Sequence, residues 1–178
     1  PLEPARRRMV RPIATRPSGR TRHASRARVR PPGDGSLKRV PGSPKALTVE
    51  QIHDPFGPPD WYPDEHPAMP DVVSRGRRPD VRACAQCHLP NGEGHPESSR
   101  LAGLPAAYIV QQMADYKSGA RKSSVATASM LMTMMAKAAT DADVQAAAEY
   151  FAALRPTPWT RVVEVATVPK TYVGFGNM

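Results

Sequence analysis

The chain has 178 residues, with 21 prolines, 25 Lys and Arg against 16 Asp and Glu, and only two cysteines. That size suits one domain with appendages, the many prolines and few aromatics leave part of it without a conventional core, and no run approaches the roughly 18 apolar residues of a membrane-spanning helix. The basic balance is local. Residues 1–45 carry 13 Lys/Arg against 2 Asp/Glu, a net of +11, whereas residues 46–178 carry 12 against 14, a net of −2.

Residues 1–45 mix Arg, Pro, Ser and Gly with no hydrophobic period and read as a disordered basic tail or leader. Clustered arginines neutralise phosphates, but no aromatic residue interleaves with them to stack on bases, so a solvated tail is expected and no nucleic-acid partner. An Arg- and Ser-rich, acid-poor composition also fits a mitochondrial transit peptide. Arg6-Arg7-Arg8 leads into Met9, Val10, Arg11 and Pro12 and not into the apolar stretch of a secretory signal.

Residues 46–70 change character. Leu47 to Ile52 reads as a short turn of helix; the prolines that follow, from Pro55 to Pro70, forbid a regular helix or a central strand. Phe56, Trp61, Tyr62 and Met69 mark this stretch as an extended strap laid over a domain. Asp71 to Ala83 reads as a short, interrupted helix capped by Asp71 and limited by Gly76 and Pro79. Leu89 to Pro96 is a turn-rich loop. Pro105 is well placed at the first position of a helix over Ala106–Ser118, where Ile109, Met113 and Tyr116 recur at helical spacing and Gly119 ends the run.

Residues 120–139 hold a linker and a methionine-rich stretch, Met130 to Met135. Thr140-Asp141-Ala142-Asp143 resembles a capping box with aspartate in the usual place of glutamate. Val144, Ala147, Ala148, Phe151 and Leu154 then form one apolar helix face that Pro156 closes. Val162 to Val168 is β-branched and reads as extended, with Pro169 at its end.

Both cysteines lie in Cys84-Ala85-Gln86-Cys87-His88, the C-x-x-C-H pattern of c-type haem attachment. Two thiols add across the porphyrin's two vinyl groups, two intervening residues span the distance between them, and the next residue offers an imidazole nitrogen to the iron. A structural zinc needs four ligands, and His23, His53, His66 and His95 form no second pair at finger or ribbon spacing. A thioredoxin-like dithiol wants a preceding strand, and the flanks here read as helical. An iron held by one histidine needs a second axial ligand if it is to shuttle electrons without binding oxygen. A methionine thioether supplies one and raises the potential. Met130, Met132, Met134 and Met135 offer that donor, and the others would wall the haem. His66 and Met69 are also able to bind iron, but packing roles suit them better.

From Ala83 to Leu154 the chain resembles a class I cytochrome c, in particular the haem domains of the dihaem bacterial cytochromes of the c-four type and their monohaem relatives. The matching stretches are Ala83 to His88, Asn91-Gly92-Glu93-Gly94, Leu101 to Leu104, Tyr108-Ile109 with Gln112, Tyr116 to Arg121, Met130 to Met132, and Thr140 to Asp143 with Ala148 to Phe151. The resemblance implies thioether links at Cys84 and Cys87 and His88 as the proximal ligand. The family's ligand methionine lies eight residues before the Ser/Thr that opens the last helix; with Thr140 in that place it implies Met132, with Met130 as runner-up. A proline carbonyl usually accepts the proximal imidazole N–H in this family. Pro96 is the candidate, although Gly94-His95-Pro96-Glu97 departs from the family's pattern.

The expected fold is all-α: a small cytochrome c-type haem domain with a disordered N-terminal tail and an extended C-terminal segment. The expected boundaries are a basic tail or leader over 1–45, the strap over 46–70, the haem domain over 71–156 and a C-terminal segment, cut short, over 157–178. Three or so helices would surround the haem, the helix before the motif crossing the helix at 141–155. The implied function is one-electron transfer by a single covalent haem c and its iron, in an electron carrier or a subunit of a redox enzyme complex. Its partners would be a dehydrogenase or cytochrome complex as donor and an oxidase as acceptor, with membrane contact only through them. The motif implies a periplasmic or otherwise extracytoplasmic place, and hence a targeting signal outside these residues. The alternative is a haem subunit or sensor with an open sixth iron position.

Overall fold

The structure, a computed structural model, describes residues 33–95, 97–123, 129–158, 161 and 163–168. These belong to one compact unit, Gly33–Met178. Its described residues are helical, with two isolated antiparallel bridges and no strand.

Residues 33–45, assigned by composition to the disordered tail, are folded back on the strap. Lys38 and Leu47 exchange both backbone hydrogen bonds, at 2.7 and 3.0 Å. Ser43 Oγ donates to the Trp61 carbonyl at 2.6 Å, Tyr62 Oη donates to the Pro41 carbonyl at 2.7 Å, and Lys45 lies 3.6 Å from Asp60. Charge counting misses this because the ties join residues 9 to 21 positions apart and involve backbone groups as much as charges. The expected turn of helix is α1, Val49–Ile52, closed by a reciprocal Thr48–Gln51 capping box. A single 3₁₀ turn at Pro63–Glu65 follows in the proline-rich stretch.

Helix α2, Asp71–Ser74, is one turn long, shorter than the expected interrupted helix. Asp71 is its first helical residue and not its cap; its carboxylate meets Arg75 at 3.1 Å one turn later. Gly76, at φ +63°, then reverses the chain so closely that a Cβ there would sit 2.2 Å from the Val81 carbonyl oxygen. This turn brings Val81 and Ala83 into the core and delivers the C-x-x-C-H segment as α3, Ala85–His88.

Helix α4, Ala106–Ser118, has the expected bounds, with Pro105 as the residue before its first turn and Gly119 in the left-handed conformation after its last. The methionine-rich stretch, for which the sequence reading names no element, is a helix, α5, Met130–Ala138. Helix α6, Asp141–Ala153, opens with the expected capping box: Asp143 N–H donates to Thr140 Oγ1 at 3.1 Å and Thr140 N–H donates to Asp143 Oδ2 at 2.9 Å. Helix α4 packs against α5 and α6, and the short α2 lies against α6. Val73, Ala148 and Phe151 form the driest part of the core. Residues 163–168 are non-helical, in keeping with the extended segment expected there, and Val163, Val165 and Val168 are exposed, with no partner strand among the described residues.

Candidate haem site

Helix α3 is a single turn, so its placement depends on what surrounds it. The Cys84 N–H donates to the Val72 carbonyl at 3.1 Å, which ties the start of the motif to α2, and the His88 N–H donates to the Cys84 carbonyl at 3.0 Å. No disulfide joins Cys84 and Cys87. Burial pushes the Cys84 thiol up to about 12 and raises that of Cys87 as well. Reactive and metal-binding cysteines have the opposite tendency, since thiolate is the nucleophile and the ligand. Burial here favours the neutral thiol. Among the described residues no three His, Cys, Asp or Glu side chains gather as a metal site.

His88 is buried, and burial lowers its pKa, favouring the neutral ring. Its Nδ1 lies 2.7 Å from the Ser99 carbonyl oxygen, which can only accept, so Nδ1 carries the hydrogen and Nε2 the lone pair. Pro96, the candidate for this role, lies outside the described residues; Ser99 fills it. Nothing in the sequence could single out Ser99, because every residue has a carbonyl. Phe151 sets its ring edge against His88, with centroids 6.2 Å apart.

The ring faces a cavity of about 70 Å³, almost wholly apolar, whose walls include Cys84, Cys87, His88, Met132 and Phe151. It adjoins a larger cleft of about 540 Å³ that shares Cys87, His88, Met113, Leu131 and Met132 with it and adds polar groups, among them Arg100, Gln112 and Arg121. The cleft alone is within the usual range for cofactor sites. Two protonated thiols, a neutral imidazole with its lone pair free, a thioether and apolar walls with a polar mouth fit a covalent haem in every donor.

The four methionines of α5 divide by helical position. Met130 and Met134, four residues apart, face outward and are 56% and 61% exposed. Met135 is buried, and its sulfur accepts the Arg82 N–H at 3.3 Å. Met132 is half-buried and lines both the cavity and the cleft. Met113 of α4 lines both as well, a second thioether that periodicity alone marks as a packing residue. His66 and Met69 are elsewhere: His66 lies between Asp60 and Tyr150, and Met69 packs on the core.

A C-x-x-C-H turn beside an apolar cavity, in an all-helical domain, is the arrangement that suits a c-type haem. The cytochrome c family model matches residues 73–155, and the chain carries a cytochrome c domain there. It is 37% identical over 81 residues to the thiosulfate dehydrogenase electron acceptor of Thiomonas intermedia (strain K12), covering 44% of this chain and 35% of that protein. It is 31% identical over 118 residues to cytochrome c4 of Thiocapsa roseopersicina, covering 64% of this chain and 58% of that one. Among solved structures, reduced recombinant cytochrome c4 from Pseudomonas stutzeri aligns with a TM-score of 0.43 and 30% identity over 47% of this chain and 45% of that one. The chain thus spans between about a third and three fifths of the length of these curated relatives. Proteins of the matched family hold a covalent haem c with its iron, and Cys84 and Cys87 are the two cysteines of that attachment pattern here. No helix among the described residues is long and apolar enough to cross a membrane.

Proposed function

We propose that the protein is a one-electron carrier whose single haem c is joined to Cys84 and Cys87 and ligated by His88 and Met132. The observation that carries this reading is the cavity wall, which brings together both thiols, the imidazole with its free Nε2 and Met132 of α5. When bound, the haem supplies the ferric–ferrous couple. Each thiol would give its sulfur to one vinyl carbon and its hydrogen to the other, with no leaving group. Ser99 fixes the tautomer and orientation of His88, the thioether of Met132 favours the ferrous state, and Met135, Ile109 and Phe151 keep water from the site.

The haem domain extends over residues 71–156, with the strap over 46–70 and the C-terminal segment from 157 as its attachments. The basic tail is confined to residues before 33, since 33–45 are tied to the strap. A dehydrogenase or cytochrome complex as donor and an oxidase as acceptor complete the reading, in the periplasm or a comparable compartment. The relative named as an electron acceptor of thiosulfate dehydrogenase supports a dehydrogenase on the donor side.

A pyridine haemochrome spectrum of protein matured in a host that attaches haem tests the core of this reading. Haem that resists acid-acetone extraction is expected, and loss of all haem would refute it. Met132→Ala is then expected to abolish the ferric sulfur-to-iron charge-transfer band and lower the reduction potential, while the outward Met130→Ala changes neither. An unchanged spectrum in Met132→Ala would pass the ligand role to Met113 or Met130, or leave the sixth position open, as the three single alanine variants distinguish.

A further inference from the structure

Glu93 lies five residues beyond His88, and its side chain is 2% exposed. Both carboxylate oxygens are occupied. Oε2 accepts from Arg100 Nε at 3.1 Å, and Oε1 accepts from the Thr157 N–H at 2.7 Å and the Thr157 hydroxyl at 3.0 Å. Burying a charge is costly even when it is paired, so a site that could hold a neutral side chain has a use for this one.

The use is visible in what Arg100 adjoins. It follows Ser99, whose carbonyl holds His88 Nδ1. The backbone on either side of Glu93 is pressed on the same segment. Gly92 accepts from the Leu101 and Ala102 N–H groups at 2.8 and 3.0 Å, and Gly94 N–H donates to the His88 carbonyl at 3.0 Å. Gly94 is so close that a Cβ there would sit 2.4 Å from the Ser98 carbonyl oxygen and 2.9 Å from that of Ser99. Ser99 thus lies against the packed Gly94 backbone, and the residue after it is tied to Glu93 by the ion pair. Thr157 draws the start of the C-terminal segment into the same clasp.

We propose that Glu93 and Arg100 are positioning residues whose ion pair holds the Ser99 carbonyl against His88 Nδ1 and thereby sets the reduction potential of the haem. The proposal rests on His88 being the proximal ligand. A firm N–H···O=C bond makes the ring a more basic ligand, which stabilises ferric iron and lowers the potential; slackening it raises the potential.

Simple through-space charge makes a different prediction. Removing the negative Glu93 would raise the potential, and removing the positive Arg100 would lower it. Positioning requires both to raise it. The test is the potential of the full-length, covalently loaded protein and of its Glu93→Gln, Arg100→Gln and Arg100→Lys variants, with the imidazole orientation read from the haem-methyl proton shifts of the ferric form. The expected result is an upward shift in both glutamine variants, a smaller one in Arg100→Lys, and an altered methyl pattern in each. Should Glu93→Gln not fold, Arg100→Gln alone decides the sign, because its side chain is 46% exposed and its loss leaves Glu93 bonded to Thr157. Shifts of opposite sign, a fall in Arg100→Gln, or shifts with an unchanged methyl pattern would overturn the proposal. An unmodified protein without covalent haem or a His-ligated spectrum would instead overturn the reading beneath it, and the proposal with it.

Discussion

Phe151 is 1% exposed and sets its ring edge against two others, Tyr150 at 5.3 Å and His88 at 6.2 Å between centroids. It belongs to the core and to the cavity wall at once, so its removal is felt twice. Phe151→Ala is expected to destabilise the protein by about 3–5 kcal/mol, the usual cost of emptying an aromatic site that cannot collapse. A urea unfolding midpoint that stayed in place would contradict this. At this scale the sequence is a good guide wherever chemistry is written in the side chain. Cys84, Cys87, His88 and Met132 share one wall, and Met132 is separated from Met130 by the direction each takes from the same helix. Ser99 and Arg100 are hidden because what matters is a backbone carbonyl and the clasp that aims it. Both depend on the path of the loop.

Thr140 closes the first turn of α6 with Asp143, and α6 carries Ala147, Ala148, Tyr150 and Phe151 into the core. Replacing Thr140 by Ala removes the hydroxyl that accepts the Asp143 N–H and should cost about 1 kcal/mol, read as a shift in unfolding midpoint without a change in slope. Thr140→Ser is expected to restore most of that loss, since it keeps the accepting oxygen. Helices α4 and α6 were legible because local signals agree: a proline or capping box at the start, apolar residues at helical spacing, and a glycine or proline at the end. Helix α5 has no signature in the sequence because Met-Leu-Met-Thr-Met-Met has no contrast between its faces, and its inward side is decided only by the cavity and α4. The valines after residue 162 read as an extended segment from their β-branching alone, and among the described residues no strand pairs with them.

The strap and the haem domain meet at a polar contact that no local pattern could announce. Tyr150 of α6, 7% exposed, donates its hydroxyl to the Pro90 carbonyl at 2.6 Å, and the same oxygen lies 3.2 Å from His66 Nδ1. On its other side His66 Nε2 is 3.1 Å from Asp60, which Lys45 approaches at 3.6 Å. One hydroxyl therefore joins the last helix, the loop after the haem motif and the strap. Burial pushes the Tyr150 hydroxyl up to about 12 from its ordinary 10.0. Between those values the unfolded chain loses this proton while the folded protein keeps it. Its contribution is complete below the ordinary value and declines as pH rises to the folded one. Tyr150→Phe leaves the Pro90 carbonyl without its donor and should cost about 1–3 kcal/mol at neutral pH. Because the variant has no proton to lose, the stability gap between it and the unmodified protein should narrow from pH 10 to pH 12. Urea midpoints of both proteins across that range measure the gap, and a gap constant with pH would show that the hydroxyl is not held back by burial. Amide exchange at neutral pH supplies the structural half: residues 58–67 of the strap should exchange faster in Tyr150→Phe, while α4, which the hydroxyl does not touch, should not.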